Sequence, residues 1–285
     1  MRQLIAVSLL FFSLFSCVKN NVLQKTGFEY SSDSEEAEDT ALETDFSFYL
    51  SAALENAQLP ENIQARIQED IAGNPAFILE LFTILQTDSF LWILADKEHS
   101  LPEDYNPEDL VELKNGSYRV GRAGLWLRRA AAESLEEMAA AAGSEGITLL
   151  ASSAYRSYSY QVQLYERYVR EMGRYEADRI SARPGHSQHQ LGLVIDFGSI
   201  EDSFAKTAEG RWLAANASRF GWSLSYPDGY EGVTGYRWES WHYRYVGREL
   251  AEFIDNYFDG IQQYALRFIY EFKNKFFEAS DHVNT

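Results

Sequence analysis

The sequence predicts an α+β fold, because strand-like and helix-like segments occur in separate blocks without a repeating βαβ order. An N-terminal helical extension is indicated first, since Phe46–Leu59 and Ile63–Leu85 carry apolar residues at helical spacing. These helices are interrupted at Pro60 and at Gly73-Asn74-Pro75. The composition is that of a globular chain, with 46% hydrophobic and 24% charged residues. A single Cys excludes a disulfide framework.

The elements after residue 90 follow from the same periodicity. Short apolar runs predict strands, and Ala-, Leu-, Glu- and Arg-rich amphipathic stretches that stop at Gly143, Gly173 and Gly221 predict helices. Strands are predicted at Leu91–Ala95, Ile147–Ala151, Leu191–Phe197 and Trp241–Val246. Helices are predicted at Ala123–Ala142, Tyr158–Met172, Phe204–Phe220, Gly247–Phe258 and Ile261–Phe277.

The N-terminus is typical of an exported lipoprotein. Arg2 precedes an apolar run, Leu4–Phe15, that is shorter than the ~20 residues of a spanning helix. Cys17 follows directly, as in a bacterial lipoprotein cleavage box, although Phe15 is bulky for the strictest form of that box. We expect residues 1–16 to be a signal peptide and Cys17 to be the lipidated N-terminus that tethers the chain to a membrane. The alternative is an ordinary signal peptide with an incidental Cys.

Charge separates the chain into an acidic beginning and a balanced middle. The 25 basic and 43 acidic residues give a net charge of −18, which argues against nucleic-acid binding. Residues 18–90 contain 14 acidic and 3 basic residues, whereas residues 151–250 contain 12 of each. Residues 17–45 are polar and acidic without periodicity, so we expect a disordered linker. Chemistry on an anionic substrate belongs in the arginine-rich middle.

Two histidines stand in contexts that indicate a metal site. His189 lies just before an apolar strand that contains Asp196, and an Asp there is costly to bury unless it is paired or metal-bound. Glu239 precedes His242 by three residues. Two His, one Asp and a separate Glu suit a catalytic zinc site, which has three protein ligands, an open position for water and a free carboxylate for proton transfer.

At these residues the sequence resembles the zinc D-Ala-D-Ala carboxypeptidases of the vancomycin-resistance type, in the fold group shared with lysostaphin-like peptidases and hedgehog domains. The resemblance covers roughly residues 90–250. It implies a small antiparallel sheet that carries the zinc site and is flanked by helices. Gln188 stands where Glu is common in the family, and Ser240 where Pro is common. The matching stretches are Trp92–Lys97, Leu101–Tyr105, Ser153–Ser157 with Gln161, Ser181–Asp196, Thr234–Tyr236 and Glu239–Gly247.

The resemblance assigns roles residue by residue. It makes His189, Asp196 and His242 the ligands of one zinc ion per chain. Glu239 becomes the general base and acid, with a water on the zinc as nucleophile. The chemistry agrees, because zinc lowers the pKa of bound water and an adjacent carboxylate can pass the proton to the leaving amine.

Three further residues are implied as substrate contacts. Arg156 would face the substrate carbonyl, with a structural ion pair as the alternative. Gln161 and Ser187 would contact the terminal carboxylate or the peptide backbone, with local capping as the alternative. Four arginines are concentrated in or beside the motifs: Arg156, Arg183, Arg237 and Arg244. They suggest an anionic substrate end, although Arg237 and Arg244 could equally form strand-surface ion pairs.

Together these features predict a membrane-anchored, exported zinc peptidase that removes the terminal D-Ala from peptidoglycan stem peptides. An L,D-carboxypeptidase or a peptidoglycan endopeptidase would use the same zinc site. A non-catalytic cell-wall-binding lipoprotein is the alternative of another class, which an intact Glu239 argues against. The predicted organisation is a helical extension at 46–89, a carboxypeptidase domain at 90–258, and a C-terminal helix and tail at 259–285.

Overall fold

The computed structural model describes residues 48–282. They form two compact units, one made of residues 48–89 together with 268–282, and one that runs from Phe90 to Arg267. The predicted signal peptide, Cys17 and the acidic linker lie outside the described residues. No described helix combines the length and the apolar character that crossing a membrane requires. The predicted domain boundaries stay predictions.

The first unit begins with three helices: α1 (48–56), α2 (Glu61–Gly73) and α3 (Pro75–Gln86). The break between α2 and α3 lies where the sequence predicts it. The side chain of Asn74 accepts a hydrogen bond from the Ala76 amide at 3.2 Å, and Pro75 occupies the first turn of α3, where no amide donor is needed. Phe77 on α3 is fully buried, and its ring centroid lies 6.0 Å from that of Phe268.

The second unit is built around a five-stranded sheet. The strands of this unit are β1 (Leu110–Glu112), β2 (Arg119–Val120), β3 (Trp126–Arg128), β4 (Leu150–Ser153), β5 (Val194–Phe197), β6 (Trp222–Leu224) and β7 (His242–Tyr245). The order in the sheet is β2-β4-β5-β7-β6, in which β2 and β4 run parallel and all other neighbours antiparallel. A separate antiparallel pair joins β1 to β3. The central strand β5 is buried along its whole length, which places the core on both of its faces.

The second unit also contains helices, and the α+β prediction is confirmed. They are α4 (Arg129–Ser144), α5 (Tyr158–Met172), α6 (Arg174–Ile180), α7 (Ala208–Asn216), α8 (Glu231–Thr234) and α9 (Arg248–Tyr257). The last helix, α10 (Gln262–His282), begins in the second unit and continues in the first. Helix α4 packs its apolar face into the core with Leu135 and Met138, both fully buried. Ser134 on the same helix donates to the Phe220 carbonyl at 2.6 Å and accepts from the Trp222 indole at 2.9 Å, so α4 is bonded to the start of β6.

Three predicted elements differ from the structure. The expected strand at Leu91–Ala95 is wrong, because Ser89–Trp92 is a 3₁₀-helix and the carbonyls of Leu91 and Ile93 accept hydrogen bonds from the buried Arg244 guanidinium, each at 2.9 Å. The helix expected from residue 123 begins at 129, because Trp126–Arg128 pairs with β1. The helix expected over residues 204–220 is divided by Thr207, whose hydroxyl accepts from the Gly210 amide and begins α7.

Candidate functional site

The predicted metal ligands meet at the centre of the sheet. Asp196 lies on β5 directly opposite His242 on β7, and His189 lies on the 3₁₀-helix Gln188–Leu191 that leads into β5. One ligand atom from each of the three lies within 4.8 Å of the other two. Each residue is at most 4% exposed. Strand register therefore brings together Asp196 and His242, which are far apart in the sequence, and the 3₁₀-helix before β5 adds His189.

Each imidazole faces Asp196 with one ring nitrogen and is oriented by a hydrogen bond at the other. His189 Nδ1 lies 2.7 Å from the Ala154 carbonyl, which can only accept, so the other nitrogen, Nε2, faces Asp196 Oδ2 at 3.3 Å without its own proton. His242 Nε2 lies 3.3 Å from Gln188 Oε1, and its Nδ1 lies 3.2 Å from Asp196 Oδ1. Gln188 is itself fixed by Ser225, whose hydroxyl donates to the same Oε1 at 2.8 Å.

The three side chains fit a zinc ion. Two imidazole nitrogens and a carboxylate oxygen are the ligand types that catalytic zinc sites use, with a fourth position left for water. Asp196 Oδ1 is buried and, among the residues that the structure describes, receives no hydrogen bond. Although His242 Nδ1 lies 3.2 Å away, a buried carboxylate oxygen without a hydrogen bond is costly, and a metal ion would satisfy it.

Burial and neighbouring charges shift the pKa values of the three ligand side chains differently. Burial and the nearby Arg156 lower the pKa of His189 to about 4, which keeps it neutral. Burial opposes ionisation of Asp196, but His189 and Arg156 outweigh it and hold the pKa of this carboxyl well below its usual range. Burial also opposes protonation of His242, yet contacts with Asp196 and Glu239 raise its pKa. Two of the three side chains are therefore already in the state that binds a metal.

Glu239 lies beside the three ligand side chains without joining their group. Its Oε2 is 3.4 Å from His242 Nδ1, and its side chain is 12% exposed in the wall of a cavity. The backbone holds it there, because the Glu239 amide donates to the Tyr226 carbonyl and its carbonyl accepts from the His242 amide. Glu239 is therefore a carboxylate in contact with both the metal site and the cavity.

Arg156 also lines this cavity and contacts the metal site. Its Nη2 donates to Asp196 Oδ2 at 2.7 Å and to Ser153 Oγ at 2.9 Å. The ion pair that the sequence left as an alternative is thus present. The second terminal nitrogen, Nη1, takes part in neither bond, so the guanidinium retains donors that can face a substrate.

Of the two predicted substrate contacts Ser187 and Gln161, only Ser187 lies in the cavity wall. Ser187 lines the cavity and is buried. Gln161 is only 1% exposed and lies behind the cavity wall, where its Nε2 donates to the Ala182 carbonyl at 2.7 Å and to Ser181 Oγ at 3.2 Å. The structure therefore does not bring Gln161 to the cavity. It supports Ser181 and Ala182, which do line it.

The cavity has a volume of about 290 Å³ and is partly open to solvent. Of the four arginines that the sequence associates with an anionic substrate, Arg156 alone is part of its wall. Arg183 pairs with Asp178 at 2.8 Å, and Arg237 pairs with Asp202. Arg244 is fully buried and holds the backbone at residues 91–93. The structure does not place these three arginines in the cavity wall, and Arg237 forms the kind of ion pair that the sequence left as its alternative.

The wall contains other side chains that the sequence patterns did not identify. Arg122 and Arg167 are exposed residues of the wall, and Tyr226 and Tyr236 are buried ones. The Tyr226 ring is tilted against two neighbours, with its centroid 4.6 Å from that of the His242 ring and 4.7 Å from that of the Tyr236 ring. Tyr236 ends the family-matching stretch Thr234–Tyr236, whereas the other three stand in no motif. Only the fold shows that they surround one cavity.

Comparisons with known proteins agree with this geometry. The profile of the D-alanyl-D-alanine carboxypeptidase family VanY matches residues 124–248. The bifunctional D-Ala-D-Ala dipeptidase and carboxypeptidase VanXYC of Enterococcus gallinarum is 30% identical over 169 residues, which cover 56% of this chain and 86% of that protein. The chain belongs to the VanY family of D-alanyl-D-alanine carboxypeptidases.

Solved structures of VanY-type peptidases share the fold. A mutant of the D,D-pentapeptidase VanY from a VanB-type resistance cassette, in complex with Zn(II), is 30% identical with a TM-score of 0.53, covering 62% of this chain and 99% of that one. The LD-carboxypeptidase LdcB is 34% identical with a TM-score of 0.54, covering 59% and 85%. The chain spans 59–66% of the length of three other curated relatives that it matches.

Proposed function

We propose that this VanY-family chain is a zinc-dependent D-alanyl-D-alanine carboxypeptidase that trims peptidoglycan stem peptides. The observation that carries the proposal is a buried His-Asp-His group with a separate carboxylate, Glu239, beside it in the wall of one cavity. Family membership supports the reaction, and the zinc complex of a related VanY supports the metal.

The chain would hold the zinc through His189 Nε2, an Asp196 oxygen and His242 Nδ1. A bound zinc ion supplies a Lewis acid that polarises a carbonyl and lowers the pKa of a water. Glu239 would take the proton from the attacking water and deliver it to the nitrogen of the departing D-Ala. Its position favours both steps, because it faces the cavity and is not needed as a ligand.

Arg156 would stabilise the charge that develops on the substrate oxygen. Its planar guanidinium is fixed by Asp196 and Ser153, so its remaining donors are held in one orientation. Fixed donors of this kind contribute typically about 10²–10³ in rate. Ser187, in the same wall, is placed to contact the peptide.

Other functions remain as alternatives. The similarity to LdcB supports an L,D-carboxypeptidase, since the same metal site would serve either stereochemistry and the difference would lie in the cavity walls. A non-catalytic cell-wall-binding lipoprotein is less well supported, because pure binding gives no reason for a carboxylate at Glu239 beside the ligands.

A substrate-polarity experiment tests the proposal. The zinc-loaded chain is incubated with three peptides in separate reactions, each with and without chelator. The first is a stem peptide that ends in D-Ala-D-Ala, and the second is the same peptide with an amidated C-terminus. The third ends in a single D-Ala that follows an L-residue. We expect release of one D-Ala from the first peptide, identified by mass, and its loss with chelator. Amidation should lower kcat/KM by at least ~10-fold, the effect of losing a charge-assisted hydrogen bond. Equal turnover of acid and amide would instead support an endopeptidase, and preference for the third peptide an L,D-carboxypeptidase.

We also propose that Cys17 anchors the exported chain in a bacterial membrane of the cell envelope. The support is the sequence alone, a short apolar run after Arg2 and a single Cys directly after it. Cys17→Ser should release the protein from the membrane fraction or leave an uncleaved precursor. A variant that is processed normally and stays with membranes at high salt would contradict the anchor.

A further inference from the structure

The cavity wall has a buried part and an exposed part. The buried part includes Ala182, Tyr226 and Tyr236, each at most 8% exposed, and we call it the enclosed end. The exposed part includes Tyr160, which is 43% exposed, and Ile200, which is 53% exposed, and we call it the open end or mouth. From these exposures we infer that a substrate would have one end enclosed and the rest directed towards solvent.

Two arginines contribute to the open end from different parts of the fold. Arg167 lies on α5, and the other α5 residues of the wall, Tyr160, Leu164 and Tyr168, are spaced so that they share its helix face. Arg122 follows Gly121, whose amide donates to the Ala151 carbonyl of β4 at 2.8 Å. A helix positions Arg167, and a hydrogen bond at the adjacent residue positions the backbone before Arg122. Both arginines are exposed, so we assign their guanidinium groups to the cavity mouth.

Neither arginine is neutralised by an acidic side chain. Within residues 48–282, Arg122 and Arg167 form no ion pair, and the Arg167 guanidinium lies 5.4 Å from the ring centroid of its neighbour Tyr168. This differs from Arg183 and Arg237, which both pair with an Asp. In a chain of net charge −18, unpaired cations in the wall of a cavity create a local positive potential that favours an anionic ligand.

The orientation of the substrate determines which of its anionic groups would meet the two arginines. That orientation follows from the proposed function. A carboxypeptidase removes one terminal residue, so the terminal residue takes the enclosed end and the longer remainder leaves through the open end. An extended peptide advances ~3.3–3.6 Å per residue, so residues just upstream of the cleaved bond pass the mouth. We propose that Arg122 and Arg167 form a subsite for a second carboxylate, carried by a substrate side chain on the N-terminal side of the cleaved bond.

The test measures binding, so that it does not depend on turnover. Peptides ending in D-Ala-D-Ala carry glutamate or glutamine at the residue directly before this end, or one residue further upstream. Their affinities for the zinc-loaded Glu239→Gln chain are measured by calorimetry. At low salt we expect the glutamate peptide to bind about five- to tenfold more tightly at one of the two positions, which is the scale of a partly exposed charge-assisted contact. The preference should shrink in 1 M salt, where exposed charges are screened.

Variants assign this preference to the two arginines. Arg122→Gln and Arg167→Gln, each in the same background, should reduce the ratio of affinities to below twofold. Arg170→Gln is the matched control, because Arg170 is an exposed arginine of the same helix that lies 3.9 Å from Glu166 and is not part of the wall. It should keep the full preference.

Two results would overturn the subsite: equal affinities for the glutamate and glutamine peptides at both positions, or a preference that survives both arginine variants. Failure of the proposed function looks different. If the preference depends on the arginines but the unaltered chain releases no D-Ala, the subsite stands and the carboxypeptidase activity is refuted.

Discussion

The surroundings of Glu239 distinguish a proton carrier from a metal ligand. His189, Asp196 and His242 form the buried group, whereas Glu239 faces the cavity at 3.4 Å from His242 Nδ1. Glu239→Gln keeps the shape but removes the proton acceptor. We expect it to lower kcat by a factor on the order of 10²–10⁴ and to leave the zinc content at one per chain. Elemental analysis beside the kinetic assay checks both parts, and parallel loss of metal and activity would make Glu239 a ligand.

Lys97 is a residue whose charge is disfavoured by the fold. Its ammonium lies 3.5 Å from the Tyr236 ring centroid and donates to the Asp178 carbonyl. Burial, with a smaller contribution from Arg183, lowers the pKa of Lys97 from 10.5 to about 8 against the attraction of Asp178. Between these two values the unfolded chain binds the proton that the folded chain has lost, so this residue's contribution to the free energy of unfolding rises with pH.

This titration predicts a pH-dependent difference between the wild type and Lys97→Met. The free energy of unfolding of the wild type, measured by urea titration, should increase relative to that of Lys97→Met between pH 7 and pH 9.5. Lys206→Met is the control, because it also replaces a lysine, at an exposed position. A difference between wild type and Lys97→Met that stays constant with pH would contradict the assignment.

At the scale of elements, the short 3₁₀-helix that carries His189 depends on the glycine that ends it. Gly192 has φ +71°, its amide bonds to the His189 carbonyl at 3.2 Å, and an added Cβ would lie 2.9 Å from Leu110 Cδ2. We expect Gly192→Ala to destabilise the fold by about 1–3 kcal/mol and to weaken zinc binding, because the left-handed backbone and the contact both oppose a side chain.

A second glycine separates these two causes. Gly146 has φ +79°, but a Cβ there would meet nothing within 4 Å. Gly146→Ala should cost about 1 kcal/mol from the backbone alone and leave the zinc affinity unchanged. Thermal unfolding and a zinc titration of both variants provide the comparison. Equal effects of the two substitutions on zinc binding would show that the end of this 3₁₀-helix does not position His189.

Elements with strong local signals were predicted from the sequence. Tyr158–Met172 has the predicted bounds, because an amphipathic stretch ends at Gly173, and β5 and β7 lie within predicted apolar runs. Strands of two or three residues such as β2 carry no periodicity and were missed. The expected strand at Leu91–Ala95 failed because a distant side chain, Arg244, takes its carbonyls.

The same division holds for the candidate site. His189, Asp196 and His242 stand in local motifs, so their sequence context is sufficient to propose them together. Arg122 and Arg167 have no such context, and only the packing of α5 and the β2 edge brings them to one cavity. Whether an arginine is free or paired is decided by partners elsewhere in the chain, which no motif reports.

At the scale of the whole molecule, the metal should act as a stabilising ligand. Asp196 Oδ1 is buried without a hydrogen bond among the described residues, so a zinc ion would bind the folded chain and not the unfolded one. Zinc at 100 times its Kd contributes about 2.7 kcal/mol, which raises Tm by roughly 5–10 °C for a chain of this size. Calorimetry in zinc and in chelator checks this shift, and His189→Ala should abolish it. The same Tm in both conditions would contradict metal binding here.

Strand pairing completes the ligand set of this site. His189 and Asp196 are close in the sequence, but Asp196 faces His242 only once β5 and β7 are paired. An unfolded chain thus presents at most two of the three ligands near each other, with little hold on zinc. The ion should therefore bind after these strands have paired, in the compartment in which the chain folds.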